Sequence, residues 1–161
     1  MIVLGIDPGS VRVGYGVIKK EGGNCKYIES GLLPIPSPRT KESLLIADTS
    51  FNALLLRIKP DRIGIEKLFF TKNKKTGMTV AETRGVLLRS ILARHIPFVE
   101  IAPSEMKGAI TGNGNANKEA VAKMMRYMLH IPSSTPKLID DASDALALAI
   151  TAAHHESFLT K

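Results

Sequence analysis

Cysteine is almost missing from this chain: Cys25 is the single one in 161 residues. One thiol builds neither a disulfide framework nor a thiolate metal site, which suits a reducing compartment. Histidine is scarce too, at four residues, and with so few imidazole and thiolate donors a zinc centre is disfavoured. Long apolar runs are also lacking. The longest, Ala145 to Ala153, falls short of the roughly 20 residues that cross a bilayer. The first residues carry no basic segment followed by an apolar core and a small-residue cleavage site. The expectation is therefore a soluble cytoplasmic protein. No internal repeat or low-complexity tract interrupts the chain.

Positive charge is what the chain has in excess. Twenty-two Lys and Arg against 15 Asp and Glu leave a net charge of +7. Such a balance favours a polyanionic partner, without separating nucleic acid from an anionic membrane surface. The length fits one domain with a substantial core, since chains of this size bury about two-thirds of their unfolded surface. One domain is expected over residues 1–156, with a short tail at 157–161.

The order of elements follows from apolar patterning. Ile2, Val3, Leu4 and Ile6 form a near-continuous run, which reads as a strand buried on both faces. Asp7-Pro8-Gly9-Ser10 has the residues of a type II turn with Gly9 at positive φ. Strands from Val11 to Lys19 and from about Cys25 to Leu33 complete an antiparallel meander that ends at the PIPSP break, Pro34 to Pro38. Beyond it, Leu44, Ala47, Phe51, Leu54, Leu55 and Ile58 recur at helical spacing until Pro60. Arg62 to Glu66 then reads as a strand, Met78 to His95 as a helix, and Pro97 to Ile101 as a strand. Helices follow at about Ser104 to Ile110, Lys118 to His130, and Asp140 or Asp141 to about His154. Three strands followed by alternating helix and strand describe an α/β fold, a mixed five-stranded sheet with helices on both faces. Ligands of such sheets gather at the carboxyl ends of strands, where Asp7 and Glu66 fall.

Asp141 and Asp144 share one face of the first turn of the last helix. Asp140 reads as an N-cap or first-turn residue. Carboxylates gathered at one place repel one another and are costly to desolvate, and a divalent cation removes the difficulty. All-oxygen ligation suits Mg²⁺ or Mn²⁺. Two such ions, about 3.5–4 Å apart, activate a water and stabilise the leaving oxygen of a phosphodiester. Ordinary helix-start and turn chemistry stands beside that metal-nuclease reading.

The segments "GIDPGS", "GYGVI", "IEKLFFTKN", "TRGV", "ITGNGNANK" and "DASDALALA" occur in an order and spacing that resemble the RuvC family of Holliday-junction resolvases, bacterial enzymes with a ribonuclease H-like fold. The resemblance covers nearly the whole chain. It implies a structure-selective endonuclease, a crossover junction endodeoxyribonuclease, which resolves four-way DNA junctions by paired symmetrical nicks during recombination and repair. It also implies two Mg²⁺ ions, with Mn²⁺ an alternative. Asp7 would bridge them, Glu66 would complete one site, and Asp141 and Asp144 the other. The family acts as a homodimer beside the RuvA and RuvB branch-migration proteins.

Directly after Glu66 come Lys67, Leu68, Phe69 and Phe70, then Lys72, Asn73, Lys74 and Lys75, and aromatics interleaved with lysines make a stacking and phosphate-binding loop. The resemblance places the junction-wedging aromatic at Phe69 and leaves Phe70 to the core. Further along, Gly112 and Gly114 permit close approach of a phosphate, Asn117 can cap the next helix, and Lys107 and Lys118 can neutralise phosphate oxygens. Both lysines match functionally important lysines of the family, and Lys118 is close enough in that reading to stabilise developing charge. Arg84 in "TRGV" is expected at a DNA-proximal helix start, or in an intrahelical pair. Val80, Val86, Leu87, Leu88, Ile91 and Leu92 offer more apolar surface than one sheet contact needs, as a partner helix would require. Three other readings compete: an ATP-binding protein of the actin and sugar-kinase type, a resolvase-like relative acting on ribosomal RNA, and a catalytically inert DNA-binding module.

Overall fold

The structure is a computed structural model and describes residues 1–35, 41–68, 74–132, 134, 136 and 138–155; at 41, 74 and 75 it describes the backbone alone. The proposed tail at 157–161 lies outside the described residues. The strands are β1 (Ile2–Pro8), β2 (Arg12–Glu21), β3 (Asn24–Pro34), β4 (Arg62–Glu66) and β5 (Phe98–Ile101). The helices are α1 (Lys41–Ile58), α2 (Lys74–Leu92), α3 (Pro103–Thr111), α4 (Lys118–Met128) and α5 (Asp140–His154). The sheet runs β3-β2-β1-β4-β5, the first two pairings antiparallel and the last two parallel. This is the mixed sheet read from the sequence. Three helical segments stop at a left-handed residue other than glycine: Lys59, His95 and His130 take φ of 48°, 52° and 52°. A left-handed residue ends the hydrogen-bond ladder of a helix. For that reason α2 closes at Leu92 rather than at His95, and α4 at Met128 rather than at His130.

Alternation along β1 divides the core. Leu4 and Ile6 join Val17, Phe51, Leu55, Ile63, Ile65, Leu87 and Ile91 under α1 and α2. Val3 joins Ile18, Ile101, Met106, Met125, Leu146 and Leu148 on the other face, under α3, α4 and α5. Gly5 faces α5 as well, and it is register partner to Gly16 on β2 and Gly64 on β4. This row of glycines is the seat of α5. A Cβ on Gly16 would stand 2.6 Å from the Leu146 nitrogen, one on Gly64 2.7 Å from the Ala152 Cβ, and one on Gly5 would overlap the Ala145 carbonyl oxygen. With Ala145, Ala149 and Ala152 facing it, the helix backbone lies almost on the sheet.

The first turn differs from expectation. Pairing continues through Asp7↔Gly14 and Pro8↔Val13, so the chain reverses over residues 9–11. Gly9 does not take positive φ; among the described residues the glycines that do are Gly22 and Gly112. Gly9 is needed because a Cβ there would overlap the Arg12 carbonyl oxygen.

Candidate active site

Side-chain parity decides which face the acidic residues take. Asp7 shares parity with Gly5 in β1, and Glu66 with Gly64 in β4, so both carboxylates leave the sheet on the α5 side. They lie one residue beyond the paired Ile6 and Ile65, at the carboxyl ends of two parallel strands. The glycine row brings the first turn of α5 to the same place. Asp7, Glu66, Asp141 and Asp144 then line one cavity of about 340 Å³ with Lys107, Lys118, Pro103, Met106 and Val121.

The lysines arrive on two further helices. Lys107 is on α3, which Pro103 opens at the first turn and Gly112 closes with φ of 77°. Gly112 is thus a helix terminator. Lys118 is the first residue of α4, whose N-cap is Asn117; the Asn117 Oδ1 accepts the Ala120 N–H at 2.8 Å. The sequence reading of Asn117 matches this cap. Asp140 is the first residue of α5 after an Ile139 N-cap, so of its two expected roles it takes the first-turn one.

Burial and mutual repulsion shape the electrostatics. Burial above all, then the charges of Glu66, Asp144 and Asp141, push Asp7 from 3.8 up to about 8, with Lys118 opposing. Burial and Asp144 raise Glu66, while its hydrogen bond with Asp7 and the charge of Lys118 act the other way. Asp144 is raised by burial and lowered by Lys118, whose Nζ lies 3.5 Å from Asp144 Oδ2. Asp144 in turn raises Lys118. The cluster therefore holds more negative charge than its own cations balance, and Asp7 keeps a proton to compensate.

Hard divalent ions fit this donor set, which is entirely oxygen and underneutralised. Among the described residues, no three His, Cys, Asp or Glu side chains stand together closely enough to hold a metal ion by themselves. An open site of carboxylates along one cavity is what Mg²⁺ uses, since it keeps several of its waters and takes few protein ligands.

Arg12 was not anticipated. Its Nε pairs with Asp141 Oδ2 from the start of β2. The two residues are 129 positions apart, and no local pattern relates them. Gly14 and Gly16 were read only as strand residues, although a small-residue repeat of period two is the signal of a closely seated helix. Arg84 lies midway along α2, not at its start. Its partners are not intrahelical either: Nε donates to the Glu66 carbonyl at 3.1 Å, and Nη2 lies 2.8 Å from Glu100 Oε1. Lys74 and Lys75 open α2, with side chains outside the described residues. Phe69, Phe70 and Lys72 fall outside the described residues altogether.

A mixed sheet of this strand order, with carboxylates clustered at its strand ends and lysines on the rim, is the arrangement of the ribonuclease H-like nucleases. Residues 3–152 match the family described as "Crossover junction endodeoxyribonuclease RuvC". The RuvC of Brachyspira hyodysenteriae is 40% identical over 151 residues, covering 93% of this chain and 92% of that protein. That of Syntrophomonas wolfei is 40% identical over 155 residues, covering 96% and 89%. The Thermus thermophilus RuvC in complex with a Holliday junction substrate superposes with a TM-score of 0.85 at 28% identity, covering 95% of this chain and 93% of that one. The yeast mitochondrial Holliday junction resolvase shares the fold, with a TM-score of 0.65 at 16% identity, covering 92% and 77%. This chain belongs to the RuvC family of crossover junction endodeoxyribonucleases.

Proposed function

We propose that this protein resolves four-way DNA junctions, hydrolysing one phosphodiester in each of two opposed strands with Mg²⁺ as cofactor and Mn²⁺ as a substitute. The observation that carries the reading is the convergence of Asp7, Glu66, Asp141 and Asp144 with Lys107 and Lys118 on a single cavity. When bound, two divalent ions supply an activated water and charge stabilisation on the leaving oxygen. Asp7 would face both ions, with Glu66 on one and Asp141 and Asp144 on the other. Lys118 holds positive charge beside Asp144, within reach of a phosphate that enters the cavity. Lys107 lines the same cavity and binds backbone phosphate; Phe69, Lys72, Lys74 and Lys75, which follow β4 in the sequence, add further DNA contacts. Arg12, half exposed above Asp141, adds a cation to the rim.

Two symmetric cuts call for two copies of the site related by a two-fold axis. The apolar surface of α2 supports a homodimer. Leu87 and Ile91 are buried in the core, while Met78 and Leu92 remain 69% and 55% exposed; on α1, Leu45 and Leu56 are 66% and 64% exposed. No helix among the described residues is long and apolar enough to cross a membrane. The reading places the enzyme in the cytoplasm with RuvA and RuvB as partners.

The deciding experiment is cleavage of a mobile synthetic four-way junction in Mg²⁺, beside linear duplex DNA and structured RNA, for the wild type and Asp7→Asn. The expected result is paired nicks confined to the junction, lost in the variant while junction binding persists. Cleavage of RNA alone would move the activity to ribosomal RNA processing. Tight junction binding without cleavage would leave a binding module.

A further inference from the structure

Glu66 is the last residue of β4, and its support is one-sided. The ladder to β1 ends at Ile6↔Ile65. The ladder to β5 continues through Glu66↔Ile101, and the Lys67 N–H donates to the Ile101 carbonyl at 2.8 Å. Arg84 supplies what β1 does not. Its Nε donates to the Glu66 carbonyl at 3.1 Å, and its buried Nη2 forms an ion pair with Glu100 Oε1 at 2.8 Å without the alignment of a hydrogen bond. Glu100 is the register partner of Ile65 on β5. One guanidinium therefore ties α2 to the ends of two adjacent strands at the residue that carries a carboxylate of the site. The Arg84 side chain is 12% exposed, so its charge is directed inward.

We propose that Arg84 is a positioning residue which, through the Glu66 carbonyl and Glu100, holds the end of β4 so that the Glu66 carboxylate meets the divalent ions. This rests on the nuclease reading and revises the expectation that Arg84 contacts DNA. Its physical basis is that groups behind a metal ligand set its orientation, and their loss weakens metal affinity by about 10–100-fold. Lysine replaces the planar fork with a single point charge and cannot serve both oxygens in the same geometry.

The test compares wild type, Arg84→Gln, Arg84→Lys and Glu100→Gln by Mn²⁺ binding to the DNA-free protein, read from the paramagnetic resonance signal of free Mn²⁺. Junction binding in chelator and cleavage against Mg²⁺ concentration are measured alongside. Arg84→Gln is expected to weaken Mn²⁺ binding by about tenfold or more, with the half-saturating Mg²⁺ for cleavage rising in parallel and junction binding in chelator holding within about twofold. Arg84→Lys and Glu100→Gln should fall between it and the wild type. Unchanged Mn²⁺ affinity with weakened junction binding would overturn the proposal and make Arg84 a DNA contact. A wild type that binds Mn²⁺ yet cuts no junction would defeat the nuclease reading while the Mn²⁺ series still decides Arg84. Should Arg84→Gln fail to fold, the double variant Arg84→Gln/Glu100→Gln removes the stranded carboxylate as well. Weakened Mn²⁺ binding in that protein sustains the proposal, and wild-type affinity overturns it.

Discussion

Gly14 faces Asp7 across the β1–β2 ladder, and a side chain on Gly14 would overlap the backbone carbonyl of Asp141. The hydrogen of one glycine therefore sets the distance between a strand carboxylate and the helix that brings two more. Gly14→Ala should displace the start of α5, costing about 1–3 kcal/mol as overpacking does. Urea denaturation measures that loss, and junction cleavage should fall with it. Gly23→Ala is the control, because a Cβ there meets nothing within 4 Å and its effect should stay within about 0.5 kcal/mol. Equal stability of Gly14→Ala and wild type would refute the close seating of α5.

The proton on Asp7 predicts how metal-free stability follows pH. Its pKa of about 8 in the folded chain exceeds the ordinary 3.8, so the folded state binds the proton more tightly than the unfolded state. The stabilisation is complete below about 3.8 and lost as pH rises through about 8. In chelator, the melting temperature should decline from mildly acidic to mildly alkaline pH. Asp7→Asn has no such proton to lose and should show a shallower decline. Saturating Mg²⁺ should flatten the wild-type curve too, since ion binding replaces the proton and strengthens with pH. A slope that Asp7→Asn leaves unchanged would assign the dependence to other groups.

Lys118 touches both charge balance and substrate, and the two contributions separate experimentally. It opposes the upward shifts of Asp7, Glu66 and Asp144, so Lys118→Met should move the acidic limb of the pH–rate profile to higher pH. The loss of a preorganised cation should lower the cleavage rate by about 10²-fold. If the lysine also neutralises a phosphate, the slope of log affinity against log salt should shrink by about one. A rate loss with the pH profile unmoved would assign Lys118 to phosphate contact alone.

Much of this was legible because the carboxylates sit at boundaries that apolar patterning marks. The run Ile2 to Ile6 and the strand that ends at Glu66 locate two of the carboxylates, and the three-residue spacing of Asp141 and Asp144 locates the others on one helical face. What sequence hid was non-local. Gly5, Gly16 and Gly64 become one row only when three strands are laid in register. The Arg12–Asp141 pair likewise exists only once the first hairpin meets the last helix. The local signal of Pro8-Gly9 was real but misplaced the reversal, because ladder pairing carried Pro8 into the strand. Arg84's place midway along α2 and its partners were hidden for a related reason: the carbonyl on β4 and the carboxylate on β5 are brought to α2 by the sheet.

The exposed apolar residues of α2 predict a separable assembly defect. Met78, Gly85 and Leu92 recur every seven residues and all three are exposed, with Ala81 and Leu88 half-buried between them. That spacing is the seam of a helix that packs against another helix. Met78→Glu/Leu92→Glu places charge on the seam without touching the core residues Leu87 and Ile91. Sedimentation velocity should then report a dimer for the wild type and a monomer for this variant, with Mn²⁺ affinity preserved. On a junction tethered in a supercoiled plasmid, the wild type should make both cuts within one binding event and yield linear product. The monomeric variant should accumulate singly nicked circles instead, because its two cuts require independent encounters. A dimer that survives both glutamates would move the interface to another surface, and Leu45 and Leu56 of α1 would be the next residues to charge.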